Sequence, residues 1–213
     1  MDKIDFKKEW KHLYAPSAKD FSVVEVPELR FLMVDGHGDP NTAQAYKDAL
    51  EALYAVAYKL MFLSKKAAGK DPVLSVAKDY VVPPLEGLWW AETHELFTTQ
   101  RDKSAWDWTM MIMQPDWITV ELFEQAVAEV QKKAPTALSK VRLALYHEGL
   151  SVQIMHIGSY EAEAPTLARM HTEFIPQNGF VEAGKHHEIY LSDPRKVAPE
   201  KLKTILRQPV RAR

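Results

Sequence analysis

Toward its C-terminal end the chain carries KHHEIYLSDP, Lys185 to Pro194, in which a carboxylate, Glu188, precedes a tyrosine, Tyr190, by two residues. The surrounding residues suit a half-buried strand. Successive strand side chains point to opposite faces, so Glu188, Tyr190 and Ser192 share one side and Ile189 and Leu191 the other. A carboxylate enclosed by aromatic rings has a raised pKa, which suits acid or base chemistry, and aromatic faces attract cations by about 0.5 to 2 kcal/mol. The rings are at hand: the Trp residues concentrate between Trp89 and Trp117, with Trp10 the exception. Such rings around one carboxylate suit a flat, apolar or cationic molecule. The plainer alternative is a solvated glutamate on a wet sheet face; the aromatic inventory favours the site.

The ligand-contact candidates follow from the same alternation. Trp106, Trp108 and Met110 share a face of AWDWTMMIMQP, while Trp89 and Trp90 in PPLEGLWWAE point apart. Glu86 shares the face of Trp90 and either enters the groove as a second carboxylate or faces water. Which Trp enters depends on a register that a one-residue slip would reverse. His156 joins the candidates, although Val152 and Ile154 on its side suit a hydrogen-bonded structural histidine better. No metal site is expected. His186 and His187 are adjacent on a strand and cannot chelate one ion, His94-Glu95 lacks the second His of a HExxH motif, and GHGDP lacks the length and lysine of a phosphate loop.

Positioning these residues requires a frame, and the chain punctuates one. SVVEVPELRFLMV reads as a strand with Pro27 at an edge or bulge, and DGHGDP then opens a helix at Asp39-Pro40. Tyr46, Leu50, Leu53, Ala57 and Leu60 recur at steps of four and three, so one face of that helix, running to about Lys66, is apolar. Strands follow in VLSVAKDYVV, PPLEGLWWAE and AWDWTMMIMQP, with THELFTTQRDKS as a loop over a cleft. ITVELFEQAVAEVQKK is a second helix capped by Thr119. ALSKVRLALYHEGLSVQIMHIG predicts a hairpin turning at His147-Glu148-Gly149, then a helix over about 163–174 with Pro165 in its first turn, then the KHHEIYLSDP strand. PEKLKTIL predicts a short terminal helix, and the basic residues after it a solvated tail.

Strand, glycine turn, acidic residue and helix occur at RFLMVDGHGDPNTAQAYKDAL and again at SVQIMHIGSYEAEAPTLARMH, Gly36 matching Gly158 and Asp39 matching Glu161. The expected fold is therefore α+β: two strand-helix-strand-strand repeats, about 21–116 and 138–194, in a single domain over 1–213. Its antiparallel sheet would carry helices on one face and a pseudo-twofold ligand groove on the other.

Composition narrows the function classes. The 213 residues allow a sizeable core; the net charge of −2 and dispersed basic residues leave no nucleic-acid footprint. The absence of cysteine excludes disulfides, thiolate metal sites and a Cys nucleophile, and points to the cytoplasm. No apolar run approaches the roughly 18 to 20 residues of a membrane span. Sheet edges and exposed aromatics leave a homodimer open beside a cavity.

At HHEIYLSDPRK the sequence resembles the GyrI-like small-molecule-binding family, whose fold also serves as the drug-sensing domain of multidrug regulators. Glu188, Tyr190, Asp193 and Pro194 match its closing strand and turn, and the resemblance spans about 21–194. It implies that Glu188 meets the positive charge of planar ligands at the bottom of an aromatic pocket. The 20 residues before Phe21 are too few for a helix-turn-helix unit, so direct DNA binding is not expected. Similar stand-alone members hydrolyse the cyclopropane ring of DNA-alkylating natural products. If that activity is shared, Glu188 orients or deprotonates water while Tyr190 or Tyr146 steadies the carbonyl oxygen, with no cofactor. Alternatives are a drug sensor or scavenger without chemistry, and a regulator of a protein partner such as a topoisomerase.

Overall fold

The computed structural model describes residues 3–68, 78–92, 102–133 and 135–213. Among them an antiparallel seven-stranded sheet is built from β1 (Ser22–His37), β2 (Leu85–Ala91), β3 (Trp106–Gln114), β4 (Arg142–Ile157), β5 (Phe180–Glu182), β6 (His186–Tyr190) and β7 (Lys203–Ala212). The pairing order is β4-β1-β3-β2-β6-β7-β5, and β4 also pairs with β7. Six strands therefore close into a ring, with β5 attached to β7. Closure leaves few sheet edges exposed and turns one sheet face inward.

The expected α+β class and antiparallel sheet are present, and the order strand, helix, strand, strand occurs twice. In the first unit α3 (Gln44–Ala67) stands between β1 and β2; α1 (Phe6–Glu9) and α2 (Lys11–Tyr14) precede it. In the second, a helical stretch separates β4 from β6. It comprises α5 (Ala164–Arg169), a π-helical turn over Met170–Phe174 and α6 (Ile175–Gln177). Between the units α4 (Val120–Val130) packs on α3, and Thr119 caps it as expected, its Oγ1 accepting from the Leu122 N–H at 3.2 Å.

Hydrophobic periodicity places α3 in part as anticipated: Leu53, Ala57 and Leu60 of the expected face are fully buried, whereas Tyr46 and Leu50 are only partly buried. Ala49, Leu53, Val56 and Leu60 are buried in one cluster with Leu32, Val34, Met110 and Ile112 of β1 and β3. The helix starts later than the Asp39-Pro40 signal suggested: Asp39 Oδ1 accepts from the Asn41 N–H in a turn, and Ala43 is the N-cap. Inside the ring, Leu13 and Tyr14 of α2 pack with Val26, Met155, Ile189 and Ile205. α2 thus plugs the ring with apolar surface that would otherwise be wet.

Two local expectations are corrected. β4 is one continuous strand, with no hairpin at 147–149; it pairs with β1 along 142–153 and with β7 along 151–157. Gly149 carries φ 73, a conformation glycine adopts without a Cβ clash, and uses it to shift the strand's alternation. Glu148 and Gln153, five residues apart, consequently reach the same Arg207 side chain. The second correction is at the C-terminus. Lys203–Ala212 is the strand that closes the ring, preceded by a 3-10 turn at Pro199–Lys201, where a helix and a solvated tail were expected. Pro27 lies in the part of β1 that pairs with β4 alone, where its missing N–H costs least. Most of the loop expected over the cleft, and the first half of the strand expected at 73–82, fall outside the described residues.

Candidate functional site

A cleft of about 920 Å³ opens between α3, the outward face of β2 and β6, and the segments around Tyr160 and Leu191. Cross-strand partners share a face, so β2 and β6 decide what enters it. Leu85 opposes Tyr190, Gly87 opposes Glu188 and Trp89 opposes His186. Alternation in KHHEIYLSDP holds, but the side is the reverse of the one expected. Glu188 and Tyr190 face the helix-bearing exterior, and Ile189 faces the ring's interior.

Glu188 is held from two directions. The Tyr190 hydroxyl donates to its Oε2 at 2.7 Å and itself accepts from Trp89 Nε1 at 3.0 Å. His186 Nε2 stands 3.7 Å from Oε1. Gly87 makes room for the indole, since a Cβ there would lie 2.7 Å from Trp89 Nε1. Rings line the rest: Trp106 meets Trp89 edge-on at 5.8 Å, and Tyr160 meets Tyr190 in the same way at 5.8 Å. Burial, reinforced by the Glu188 charge, pushes the Tyr160 hydroxyl up to about 12 and raises Tyr46 and Tyr190 as well. These phenols stay neutral and remain hydrogen-bond donors.

The expected site residues divide among five environments. Glu188, Tyr190, Trp89 and Trp106 line the cleft together. Trp108 and Met110 are fully buried beneath α3; Trp108 Nε1 donates to Gly38 O at 3.2 Å and its ring fills the space a Cβ on Gly36 would need. Trp90 and Tyr146 line a second cavity of about 570 Å³ instead, where Lys185 Nζ sits 3.1 Å over the Trp90 ring. His156 contacts the Ser159 carbonyl at 3.1 Å, apart from the cleft. Glu86 is buried inside the ring and takes neither of the positions considered for it, groove or water.

The cleft also contains residues that sequence reasoning passed over. Tyr46, Leu50, Tyr54 and Tyr58 form an i, i+4 row along α3 that faces it. Sequence spacing assigns Tyr46 and Leu50 to the apolar core face, because nothing in it distinguishes a cleft wall from packing. Tyr160 and buried Glu163 come from the 3-10 turn after β4, which carries no periodic signal.

Inside the ring runs a buried polar chain that alternation alone could not disclose. Tyr14 donates its hydroxyl to Glu86 Oε1 at 3.1 Å, and His187 Nε2 lies 2.9 Å from Glu86 Oε2. His187 Nδ1 meets Glu148 Oε1 at 2.9 Å, and Arg207 Nη1 donates to Glu148 Oε2 at 3.1 Å. Arg207 also donates to Gln153 Oε1 and the Leu13 carbonyl, tying the N-terminal helices to the wall. Burial alone would lower His187, but the Glu148 and Glu86 carboxylates outweigh it and hold the imidazole up at about 9. Burial would likewise raise Glu148; His187 and Arg207 bring it down to about 2. Neighbouring His186 has no such excess of carboxylates, and burial pushes it down to about 3. Two acids and two bases balance one another, so the chain needs no counter-ion. Among the described residues no group of three or more His, Asp or Glu side chains is placed to hold a metal, and no helix is long and apolar enough to cross a membrane.

Comparison with known proteins adds to this geometry. A family model described as a GyrI-like small molecule binding domain matches residues 19–211. An uncharacterized conserved protein from Listeria innocua is 47% identical, with 98% of this chain and 100% of that one covered and a TM-score of 0.86. A chain described as a hydrolase from Listeria innocua is 44% identical over 98% and 100% of the two chains, with a TM-score of 0.83. The EcmrR C-terminal domain, 10% identical over 91% of this chain and 98% of its own, shares the fold alone at a TM-score of 0.55. No curated protein sequence matches.

Proposed function

Because this chain belongs to the GyrI-like small-molecule-binding family, we propose that its aromatic cleft is where the small molecule binds, and that the ligand is flat, apolar and tolerant of positive charge. The observation that carries this reading is Glu188, oriented at 2.7 Å by Tyr190 and surrounded by tyrosine and tryptophan rings. Ring faces attract a cation, and the carboxylate supplies its counter-charge. Fluorescence titration with ethidium, a flat apolar cation, tests the proposal. Saturable binding that weakens in Glu188→Gln supports it, and equal affinity in the two proteins removes Glu188 from the site.

A second reading, hydrolysis in the same cleft, is favoured by the carboxylate–phenol pair and by the hydrolase description of a relative 44% identical. The substrate class is an activated cyclopropane conjugated to a carbonyl, as in certain DNA alkylators. Glu188 takes a proton from water as its oxygen bonds to the ring carbon. The strained C–C bond breaks and its electron pair moves to the carbonyl oxygen. Tyr190 is committed to Glu188, so neutral Tyr46 and Tyr160 are the donors left for that oxygen. Mass spectrometry decides: catalytic gain of one water, lost in Glu188→Gln, supports turnover, and unchanged compound despite binding leaves a sensor or scavenger.

A further inference from the structure

Behind Glu188, away from the cleft opening, titratable groups continue toward the surface. His186 stands 3.7 Å from Glu188 Oε1 and its side chain is 2% exposed. His171 lies beyond it, with ring centroids 6.2 Å apart, and Glu182 Oε1 holds His171 Nδ1 at 2.7 Å. His171 and Glu182 are 15% and 33% exposed at their side chains, so the line reaches solvent. His171 sits in the π-helical turn over Met170–Phe174. Such turns insert a residue into a helix and re-aim its side chains, and they recur at functional sites.

We propose that His186, His171 and Glu182 form a rear proton path that exchanges the Glu188 proton with solvent while the cleft is filled. The inference rests on the cleft reading above. Glu188 is 15% exposed, and the cleft is its direct contact with water. A ligand seated over it closes that contact, and any proton it takes must leave another way. An imidazole accepts at one ring nitrogen and releases from the other, so His186 passes a proton onward without lasting charge. Its environment suits transit over storage. Burial, with His171 and His187 beside the ring, disfavours the protonated imidazole and outweighs the Gln208 hydrogen bond and Glu148, which favour it. The 3.7 Å separation is long for direct transfer and within reach of tightening on binding, and the step to His171, with ring centroids 6.2 Å apart, would take one bridging water. In hydrolysis the path balances the reaction: the proton from the attacking water leaves through His186 and His171, and the ring-opened oxygen takes one from the tyrosine side.

In this assignment His186 and His171 are positioning residues, because they act through Glu188. The test has two arms. In protein labelled with ¹⁵N at histidine, the ring nitrogen signals of His186 and His171 both move in Glu188→Gln and both move in Glu182→Gln. Unmoved signals at His171 in Glu188→Gln overturn the path, whatever the ligand. In the second arm, His171→Ala slows cyclopropane hydrolysis at least tenfold, and imidazole added to the buffer restores most of the loss. An unslowed variant, or a slow one that imidazole leaves slow, also overturns it. If the unsubstituted protein turns nothing over, the hydrolytic reading fails while the spectroscopic arm still decides the path.

Discussion

Glu86 and Glu188 lie on neighbouring strands of one sheet and face opposite sides of it: Gly87 opposes Glu188, and Ile189 opposes Glu86. The wall therefore carries a carboxylate on each surface, with different partners. Glu188 meets a phenol at the edge of a cleft, and Glu86 meets an imidazole inside a closed ring.

Replacing Glu188 by Gln should leave the fold intact and weaken a flat cation about tenfold, the equivalent of about 1.4 kcal/mol. A neutral planar ligand of the same shape should lose little. Parallel titrations with the two ligand types check this, and equal losses for both would point to a disturbed cleft instead of a missing counter-charge.

Stability should depend on pH through His187 and Glu148. His187 rises from 6.5 to about 9 on folding, so its contribution is full below about pH 6.5 and is lost as pH climbs through 9. Glu148 falls from 4.5 to about 2, so its contribution is full above about pH 4.5 and is lost as pH drops through 2. The melting temperature should therefore be highest between about pH 4.5 and 6.5 as far as this pair is concerned. Glu148→Gln should cost roughly 3–5 kcal/mol by stranding buried positive charge. A melting temperature flat from pH 6.5 to 9.5 would contradict the assignment.

Gly87→Ala should disturb the cleft from within the wall. The new Cβ would lie 2.7 Å from Trp89 Nε1 and 3.2 Å from Met110 Sδ, so the indole must shift from the Tyr190 oxygen. Overpacking of this kind costs about 1–3 kcal/mol. Denaturant unfolding together with tryptophan emission reports both consequences, and an unchanged spectrum would show that the indole never moved.

Tyr14→Phe should loosen the N-terminal helices. The substitution keeps the ring in its apolar cluster and removes the hydroxyl that donates to Glu86 at 3.1 Å. A buried acceptor deprived of its donor costs about 1–3 kcal/mol. Proteolysis should become faster within residues 6–14, and equal cleavage rates would show that apolar packing alone holds the plug.

The sequence by itself determined which residues travel together. Period-two alternation put Glu188 with Tyr190, period 3.6 located the core face of α3, Thr119 marked the start of α4, and HHEIYLSDP carried the family resemblance. Each is a local relation, set by backbone geometry within a few residues. Only the tertiary structure decided which face those residues meet. Alternation is blind to inside and outside, and the closing contact joins Ser151–Ile157 of β4 to Lys203–Pro209 of β7, far apart in the chain. The same closure buried Arg207, which in sequence looks like a tail residue, and gave it Glu148 as partner through the Gly149 shift. It also sent Tyr146 to a second cavity and brought Tyr46 and Tyr160 to Glu188 in its place. A buried charge and a solvated one have the same letter. Their partners tell them apart, and those partners meet only when the ring closes.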